Sequence, residues 1–302
     1  MNPNSEKKMS VSVIMPALNE ERNILGAINN TLNSFEDFSI NGEIVIINDG
    51  STDKTRDLVN DAMKTNKQIQ LIEHETPQGI GASFWDGIDK ARGDIVVLLP
   101  GDNENDSVEI FRYCMLLEHV DIVIPFVFNR EVRPLSRNFY SYVYRFIINT
   151  TFLVNFNYTN GTVLYRKRVL KKLKYRSNGF FFQTDILIRL IKQNYLFAEV
   201  PYKLRQRGHG KSKAMSFPSL LQVIKGYLQL LKDGYFMKKK KHLTLFPRDS
   251  LTFLRRRRDT DRERKGVNFT MDRLILDGHK LAWHKERVEA WLAGERIAPI
   301  TI

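Results

Sequence analysis

The chain has 302 residues, of which 42% are hydrophobic, and it carries a formal net charge of +13. The length suits one large α/β domain with an appended segment, and the apolar fraction is ordinary for a protein with a substantial core. The single cysteine, Cys114, excludes a disulfide framework and a cysteine-built zinc or iron–sulfur site, which favours a reducing compartment.

The positive charge is concentrated toward the end of the chain. Residues 237–302 contain 17 Lys or Arg against nine Asp or Glu, including the blocks Lys238–Lys241 and Arg255–Arg258. Such blocks indicate solvated or anion-binding segments, and charge alone allows anionic lipid or nucleic acid as a partner. We expect no nucleic acid, because no interleaved aromatic residues provide a stacking surface there.

The first residues, 1–10, are polar and do not form a secretory signal, so we expect a cytoplasmic protein, peripheral at most on the inner face of the membrane. The longest uncharged stretch, Phe146–Tyr165, has the length of a membrane span. Its asparagines and threonines argue against one, since polar amides are costly in hydrocarbon.

We predict three regions: a polar segment 1–10, a catalytic domain 11–236 and a basic, partly helical extension 237–302.

A strand followed by a turn and an acid occurs three times in the first hundred residues, at Val11–Glu20, Glu43–Asp53 and Asp94–Glu104. Each begins with a short apolar run, which is typical of a parallel strand covered on both faces. Ligands of such sheets bind at the carboxyl ends of the strands. Three acidic strand ends on one edge would suit a nucleotide and a divalent cation.

The intervening segments have helical periodicity. Apolar residues at 24, 25, 28 and 32 predict a first helix, and those at 58, 59 and 63 a second that begins near Ser51 or Thr52. A short strand at Leu71–His74 precedes the glycine-rich turn Pro77–Ala82, which opens a third helix and would allow close approach of a phosphate or sugar. This alternation predicts an α/β fold with a mainly parallel sheet flanked by helices.

The second half of the domain is less regular. Phe139–Phe156 is aromatic and amphipathic, so it either packs in the core or lies as a helix at a lipid interface. The loop Arg205–Lys213 combines basic residues with glycines. The predicted elements in order are strand Val120–Val127, basic loop Arg130–Arg137, strand Gly161–Arg166, helix Thr184–Ile191, strand Phe197–Pro201 and helix Ser216–Phe236.

The residue types at the third strand end suit metal binding. Mg²⁺ prefers carboxylate oxygen and is commonly bound by one or two protein carboxylates together with substrate phosphates. Asp102 and Glu104 could supply this site, although acids in such positions are often only turn or capping residues. Four cations, Arg133, Arg137, Arg207 and Lys213, could neutralise a departing diphosphate, where electrostatic catalysis acts.

Together these segments resemble the inverting family 2 glycosyltransferases of GT-A fold, most closely the dolichol-phosphate-mannose synthases and bacterial polyprenyl-phosphate glycosyltransferases. The resemblance runs from about Val11 to Phe236. It is carried by Met15–Glu20, Ile47–Asp53, Gly79–Ala82 with Gly87, Pro100–Glu104, Glu199–Pro201 and Arg207–Lys213.

The resemblance implies a role for each site residue. The donor nucleotide would be bound by Pro16, Asn19, Glu20, Asp49, Gly50 and Gly79, and the donor diphosphate would be covered by Arg207 and Lys213. Mg²⁺ or Mn²⁺ would be held by Asp102 and Glu104. The acceptor would be bound by Arg133 and Arg137, with Asp185 as an acid near it. Catalysis would rest on Asp102, Asp185 and Arg207.

The chain departs from the family pattern at Pro100, Asn48 and Asn157, where acids are common. The expected activity is transfer of a sugar from a UDP- or GDP-linked donor to a polyprenyl phosphate at the cytoplasmic membrane face. A phosphate acceptor is already anionic and needs no general base, whereas a hydroxyl acceptor does. Transfer to a sugar hydroxyl in cell-envelope polysaccharide or glycolipid synthesis, with Asp185 as base, and non-catalytic binding of a nucleotide sugar are the alternatives.

Overall fold

The computed structural model describes residues 10–132, 134–204, 217–236 and 247–254. Three predicted site residues, Arg133, Arg207 and Lys213, lie outside the described residues, as does most of the predicted extension. Contacts divide the chain into the units Met1–Leu251 and Thr252–Ile302, and only 252–254 of the second unit are described.

In the part of the chain that the structure describes, seven strands form one sheet in the order β3-β2-β1-β4-β6-β5-β7. Every neighbouring pair is parallel except the two that include β6, which confirms the predicted mainly parallel sheet. The strands are β1 (Ser10–Ala17), β2 (Asn41–Asp49), β3 (Ile69–His74), β4 (Ile95–Leu98), β5 (Ile122–Val127), β6 (Leu164–Arg166) and β7 (Phe197–Tyr202).

Among the described residues, eight α-helices flank the sheet. In the described part of the chain, none is long and apolar enough to cross a membrane. The helices are α1 (Ile24–Asp37), α2 (Thr55–Thr65), α3 (Ile80–Lys90), α4 (Ser107–Phe111), α5 (Leu135–Phe152), α6 (Lys167–Leu170), α7 (Phe182–Ile191) and α8 (Phe217–Phe236), with short 3-10 helices at Cys114–Glu118 and Arg130–Val132.

The strands are buried on both faces because alternate side chains enter two separate cores. On β2, Val45 and Ile47 join the cluster that includes α3 and α7, whereas Ile44 and Ile46 join the cluster that includes α1 and α4. Successive side chains of a strand point to opposite faces of the sheet, so a strand contributes to both cores only where consecutive residues are apolar. This three-layer packing explains the continuous apolar runs in the sequence.

The parallel register brings the carboxyl ends of six strands to one edge of the sheet. β1, β2, β3 and β4 run in the same direction, and β5 and β7 share it because β4 and β5 are both antiparallel to β6. The segments that follow these strands, with Asp49 and Asp102 among them, therefore lie along this edge.

The boundary of α5 differs from the prediction. Arg137 was expected in a loop, but the helix begins at Leu135, directly after Pro134, so Arg137 lies in its first turn. Pro134 has a φ of −54°, which suits the start of a helix. Proline also lacks the backbone N–H that a residue in a helix interior would donate. The predicted aromatic region therefore begins and ends about four residues earlier, at Leu135 and Phe152.

A short segment beyond α8 packs on the domain. Asp121 is fully buried, and its carboxylate accepts a hydrogen bond from the backbone N–H of Leu251 at 3.0 Å. Asp249 accepts a hydrogen bond from the hydroxyl of Tyr195 at 2.9 Å and lies 2.7 Å from the ammonium of Lys172. Residues 247–251 thus belong structurally to the first unit.

Candidate active site

Hydrogen bonds connect the three loops that follow β1, β2 and β4. The backbone N–H of Gly101 donates to the carbonyl of Pro16 at 2.9 Å, which holds the segment after β4 against the end of β1. The backbone N–H of Asn19 donates to the hydroxyl of Ser51 at 2.9 Å, and the Asn19 amide oxygen accepts from the N–H of Thr52 at 2.8 Å. The repeated strand ends are thus brought together as one surface.

Asn19 and Glu20 hold this junction. Asn19 has a φ of 58°, a conformation that asparagine tolerates better than most residues. The backbone N–H of Glu20 donates to Thr55 at 2.8 Å, and its carbonyl accepts from Ile24 at the start of α1. The Glu20 carboxylate accepts a hydrogen bond from the Asn23 amide at 2.7 Å.

Asp49 is a buried acid at this edge of the sheet. It is 5% exposed, and its two oxygens accept the backbone N–H groups of Gln78 at 2.7 Å and Gly79 at 2.9 Å. Gly50 follows with a φ of +76°, and a side chain there would meet the ring of Pro77. The carboxylate therefore fixes the glycine-rich turn to the end of β2.

His74 is a site residue that sequence analysis missed. Its ring nitrogens lie 2.7 Å from Asp49 Oδ1 and 3.0 Å from Asp86 Oδ2, so the imidazole bridges two carboxylates. The register pairs Asp49 with His74 across β2 and β3. The sequence did contain an indication, because Asp49 and His74 each end a strand. One histidine at the end of a short strand was not sufficient to predict a site residue.

The glycine-rich turn is approached by the protein's own backbone. The N–H groups of Gly81 and Ala82 donate to the carbonyl of Asn178, at 3.0 and 3.3 Å. A Cβ on Gly81 would lie 2.5 Å from that residue's carbonyl carbon, so the close approach predicted for a ligand is made here by Asn178. Beside the turn lies a groove of about 540 Å³ lined in part by His74 and Arg176.

The predicted metal ligands lie in a tight turn after β4. The N–H of Glu104 donates to Asp102 Oδ1 at 3.1 Å, and Asn103 between them has a φ of 58°. Asn103 accepts a hydrogen bond from the Asn30 amide on α1 at 2.8 Å. Both carboxylates are half-buried, and within the described ranges no group of three or more His, Cys, Asp or Glu side chains forms a metal site.

Of the two predicted acceptor residues, Arg137 lies within the described part of the chain. Next to α5 is a cleft lined by two arginines, Arg130 and Arg145, with Tyr142 and Asn157 among its other walls. Arg137 is half-buried in the first turn of α5 and does not line this cleft. Sequence analysis had placed both cleft arginines in their segments without assigning them a role.

The chain also approaches the 102–104 turn at the end of β7. Leu204 forms an antiparallel bridge with Asn105, the residue after Glu104. Its N–H donates to the Asn129 amide oxygen at 2.9 Å, and its carbonyl accepts from the Asn129 amide nitrogen at 2.9 Å. The segment carrying Arg207 and Lys213 follows Leu204 in the chain but lies outside the described residues.

Asp185 forms part of an ion-pair network between α7 and α8. It is 1% exposed, and it accepts a hydrogen bond from Arg189 at 2.9 Å, while Arg189 also contacts Asp233 on α8 at 2.6 Å. Burial raises the pKa of Asp185, and Arg189 opposes that rise. These contacts support an ion-pairing role, and the role near the acceptor stays a prediction.

The architecture matches solved structures of GT-A glycosyltransferases. A mycobacterial protein of known structure has a TM-score of 0.59 over 74% of this chain and 75% of its own, with 21% identity. Glucosyl-3-phosphoglycerate synthase from Mycobacterium tuberculosis, solved with Mn²⁺, UDP and glucosyl-3-phosphoglycerate, has a TM-score of 0.56 over 74% of this chain and 80% of its own, with 20% identity. These similarities establish the fold class.

The sequence profile of glycosyl transferase family 2 matches residues 12–174, more than half of the chain. The chain belongs to this family and is a glycosyltransferase.

Three relatives are similar to this chain over different extents. An uncharacterised glycosyltransferase of Haemophilus influenzae is 34% identical over 36% of this chain, and a dolichyl-phosphate beta-glucosyltransferase of Trichomonas vaginalis is 36% identical over 34% of it. The chain covers 44% and 34% of their lengths. Dodecaprenyl-phosphate galacturonate synthase of Rhizobium johnstonii is 23% identical over 78% of this chain and 69% of its own length.

Proposed function

We propose that this glycosyltransferase moves a sugar from a nucleotide-diphosphate sugar to a polyprenyl phosphate. The observation that carries the proposal is the cleft lined by Arg130 and Arg145, which lies beside α5 at the same edge of the sheet as the 102–104 turn. Two guanidinium groups favour a phosphate ligand. The names of the Rhizobium and Trichomonas relatives support the same class of acceptor.

The connected loops are proposed to bind the donor nucleotide. Asp49 holds the 78–79 turn by its backbone, and Asn19 and Glu20 hold the loop after β1 against the loop after β2. Such preformed loops reduce the entropy lost when a nucleotide binds. We assign donor contacts to Pro16, Asn19, Glu20, Asp49, Gly50 and Gly79, and diphosphate contacts to Arg207 and Lys213.

The 102–104 turn fits a divalent cation by the chemistry of its donors. Asp102 and Glu104 are half-buried and two residues apart, and a hard cation such as Mg²⁺ or Mn²⁺ needs only one or two carboxylates when a diphosphate supplies further oxygens. When bound, the ion would neutralise charge on the leaving diphosphate. The backbone N–H of Glu104 donates to the Asp102 carboxylate, so that carboxylate is oriented in advance.

The proposed reaction needs positioning more than proton transfer. An oxygen of the acceptor phosphate attacks the anomeric carbon, the bond from that carbon to the nucleotide diphosphate breaks, and the configuration inverts. The acceptor is already anionic, so no general base is required. Arg130 and Arg145 would orient it, and they would offset repulsion between the two phosphate-bearing substrates.

The test is a transfer assay with the full chain, a panel of UDP- and GDP-sugars, and Mg²⁺ or Mn²⁺. Three acceptors are compared: a polyprenyl phosphate, a glycan hydroxyl and phosphoglycerate. Transfer to polyprenyl phosphate is the expected result. Transfer only to one of the other acceptors would overturn the proposal and leave the family assignment intact, and donor binding without any transfer would favour a non-catalytic binder.

An Asp102→Ala variant examines the metal role in the same assay. Removing a cation ligand at the leaving group is expected to lower kcat/KM about 100-fold or more. Asp61→Asn is the matched control, because Asp61 is exposed and pairs only with Lys64 among the interactions described for it. Normal turnover by Asp102→Ala would contradict the proposed metal role of Asp102.

A further inference from the structure

The outward side of α5 is apolar. Phe139, Tyr142, Val143, Phe146 and Ile147 follow the spacing i, i+3, i+4, i+7 and i+8, and each is between 36% and 63% exposed. The core is contacted by a different face of the helix, since Ile148 and Phe152 are buried. The core-packing interpretation of this aromatic segment therefore applies to one face, and the other face is exposed.

A second apolar stripe lies on α8. Leu220, Ile224 and Leu228 occur at i, i+4 and i+8 and are 45% to 57% exposed, whereas Leu230 is buried. The two helices contact each other, because the Phe152 and Tyr227 rings pack edge to face at 5.9 Å and Thr151 is hydrogen-bonded to the Tyr227 hydroxyl at 2.9 Å.

Exposed apolar side chains are concentrated on these helices. Of the 17 large hydrophobic residues exposed in the described part, seven are on α5 and four on α8. Single exposed residues are normal on a protein surface, but a cluster of this kind marks a site that another surface covers.

The charges indicate what that surface is. The sequence of α5 contains Arg137 and Arg145 and no acidic residue. The single acid of α8, Asp233, is paired with Arg189 at 2.6 Å. Aromatic residues with flanking cations and without free acids suit an anionic lipid surface, whereas a second copy of the same face would place like charges together.

We propose that the exposed stripes of α5 and α8 form one surface that docks on an anionic lipid bilayer. This inference rests on the proposed function, because Tyr142 both belongs to the stripe and lines the arginine cleft. A lipid whose phosphate contacts the two arginines of the cleft would have its hydrocarbon chain beside α5. The surface thus explains how a water-exposed site reaches a membrane-embedded acceptor.

Flotation of the full chain with vesicles tests the surface without any acceptor. Wild type is expected to float with vesicles of phosphatidylglycerol and phosphatidylcholine and to float less with phosphatidylcholine alone. The double variant Phe139→Ser with Phe146→Ser is expected to lose about tenfold or more in partitioning. Leu196→Ser is the matched control, since Leu196 is 40% exposed and lies outside both helices.

A fluorescent label locates the contact. Burial raises the pKa of the Cys114 thiol to about 12, so it will not compete with an introduced cysteine for labelling. An environment-sensitive dye on Ile147→Cys is expected to shift to the blue with anionic vesicles, and the same dye on Leu196→Cys is not. Binding through the basic residues of 237–302 alone would be lost at high salt and would leave both labels unshifted.

Each outcome is decisive. The docking proposal is overturned if wild type does not float, if the double variant floats as well as wild type, or if the dye at 147 shifts only through self-association in the absence of lipid. Failure of the proposed function is seen separately, as absent transfer to a water-soluble short-chain polyprenyl phosphate. The double variant is expected to retain that transfer, because neither phenylalanine lines the cleft.

Discussion

At the scale of single residues, Asp49 shows how one carboxylate organises a binding edge. It accepts two backbone N–H groups of the 78–79 turn and contacts His74, and it is almost fully buried. Hydrogen bonds to an ionised group are stronger than neutral ones, and leaving a buried donor unpaired is costly. Asp49 therefore determines where the glycine-rich turn lies before any ligand arrives.

Replacing Asp49 with Asn should destabilise the fold and weaken donor binding. One carboxylate oxygen becomes an amide N–H₂ group, which cannot accept a hydrogen bond, so the side chain no longer accepts from both Gln78 and Gly79. A loss of about 1–3 kcal/mol in the free energy of unfolding is expected. Urea unfolding measures the stability, and the thermal shift produced by a UDP- or GDP-sugar measures binding. Asp86→Asn is the control, because it alters the other partner of His74 at a side chain that is 51% exposed. Equal stabilities for Asp49→Asn and wild type would contradict this role.

At the scale of secondary-structure elements, Glu43 joins three strands at the opposite edge of the sheet. It lies on β2 and accepts hydrogen bonds from Ser12 on β1 at 2.6 Å, from Gln70 on β3 at 2.6 Å and from the Arg92 side chain after α3 at 2.7 Å. Burial opposes ionisation of Glu43, but the hydrogen bonds from Ser12 and Arg92 outweigh it and hold its pKa below the usual 4.5.

This lowered pKa predicts a pH dependence of stability. Because the folded protein binds fewer protons than the unfolded chain between the lowered pKa and 4.5, the contribution of Glu43 is present above 4.5 and is lost as the pH falls through the folded value. Glu43→Gln should cost about 1–3 kcal/mol at pH 7, and the difference from wild type should shrink in acid. Denaturant unfolding across this pH range measures it, with exposed Glu36→Gln as control. A difference that is constant with pH would contradict the assignment.

The start of α3 shows what an element's sequence can and cannot predict. The glycines at 79 and 81 indicated a turn that tolerates close approach, and the structure has such a turn, with Gly79 at a φ of +95°. The identity of the approaching group, the Asn178 backbone, depends on a distant segment of the chain. Glycine spacing specifies available space, and only the fold specifies what fills it.

At the scale of the whole molecule, the segment 247–251 completes the domain although it lies beyond the predicted catalytic region. Its contacts supply hydrogen-bond partners to the buried Asp121 and Tyr195, and Asp249 also pairs with the exposed Lys172. Burial raises the pKa of Asp121, so its carboxylate depends on the Leu251 N–H and on Arg168.

Two truncations should therefore differ in stability. A chain ending at Phe246 loses the Leu251 and Asp249 contacts, and it should be less stable by about 1–3 kcal/mol than a chain ending at Leu254, which keeps them. Urea unfolding of the two variants beside the full chain provides the measurement. If both truncations were equally stable, the contacts of 247–251 would contribute nothing to the domain.

The α/β class, the mainly parallel sheet and the positions of the strand ends could be predicted from sequence, because apolar runs and helical periodicity are local properties. The partners of the residues at those ends depend on tertiary packing. Two examples depend on which strands and helices become neighbours. His74 lies between Asp49 and Asp86, and Arg189 pairs with both Asp185 and Asp233. The same holds for the aromatic stripe of α5, since a helix with two apolar faces shows which one is covered only after the sheet and α8 have packed against it.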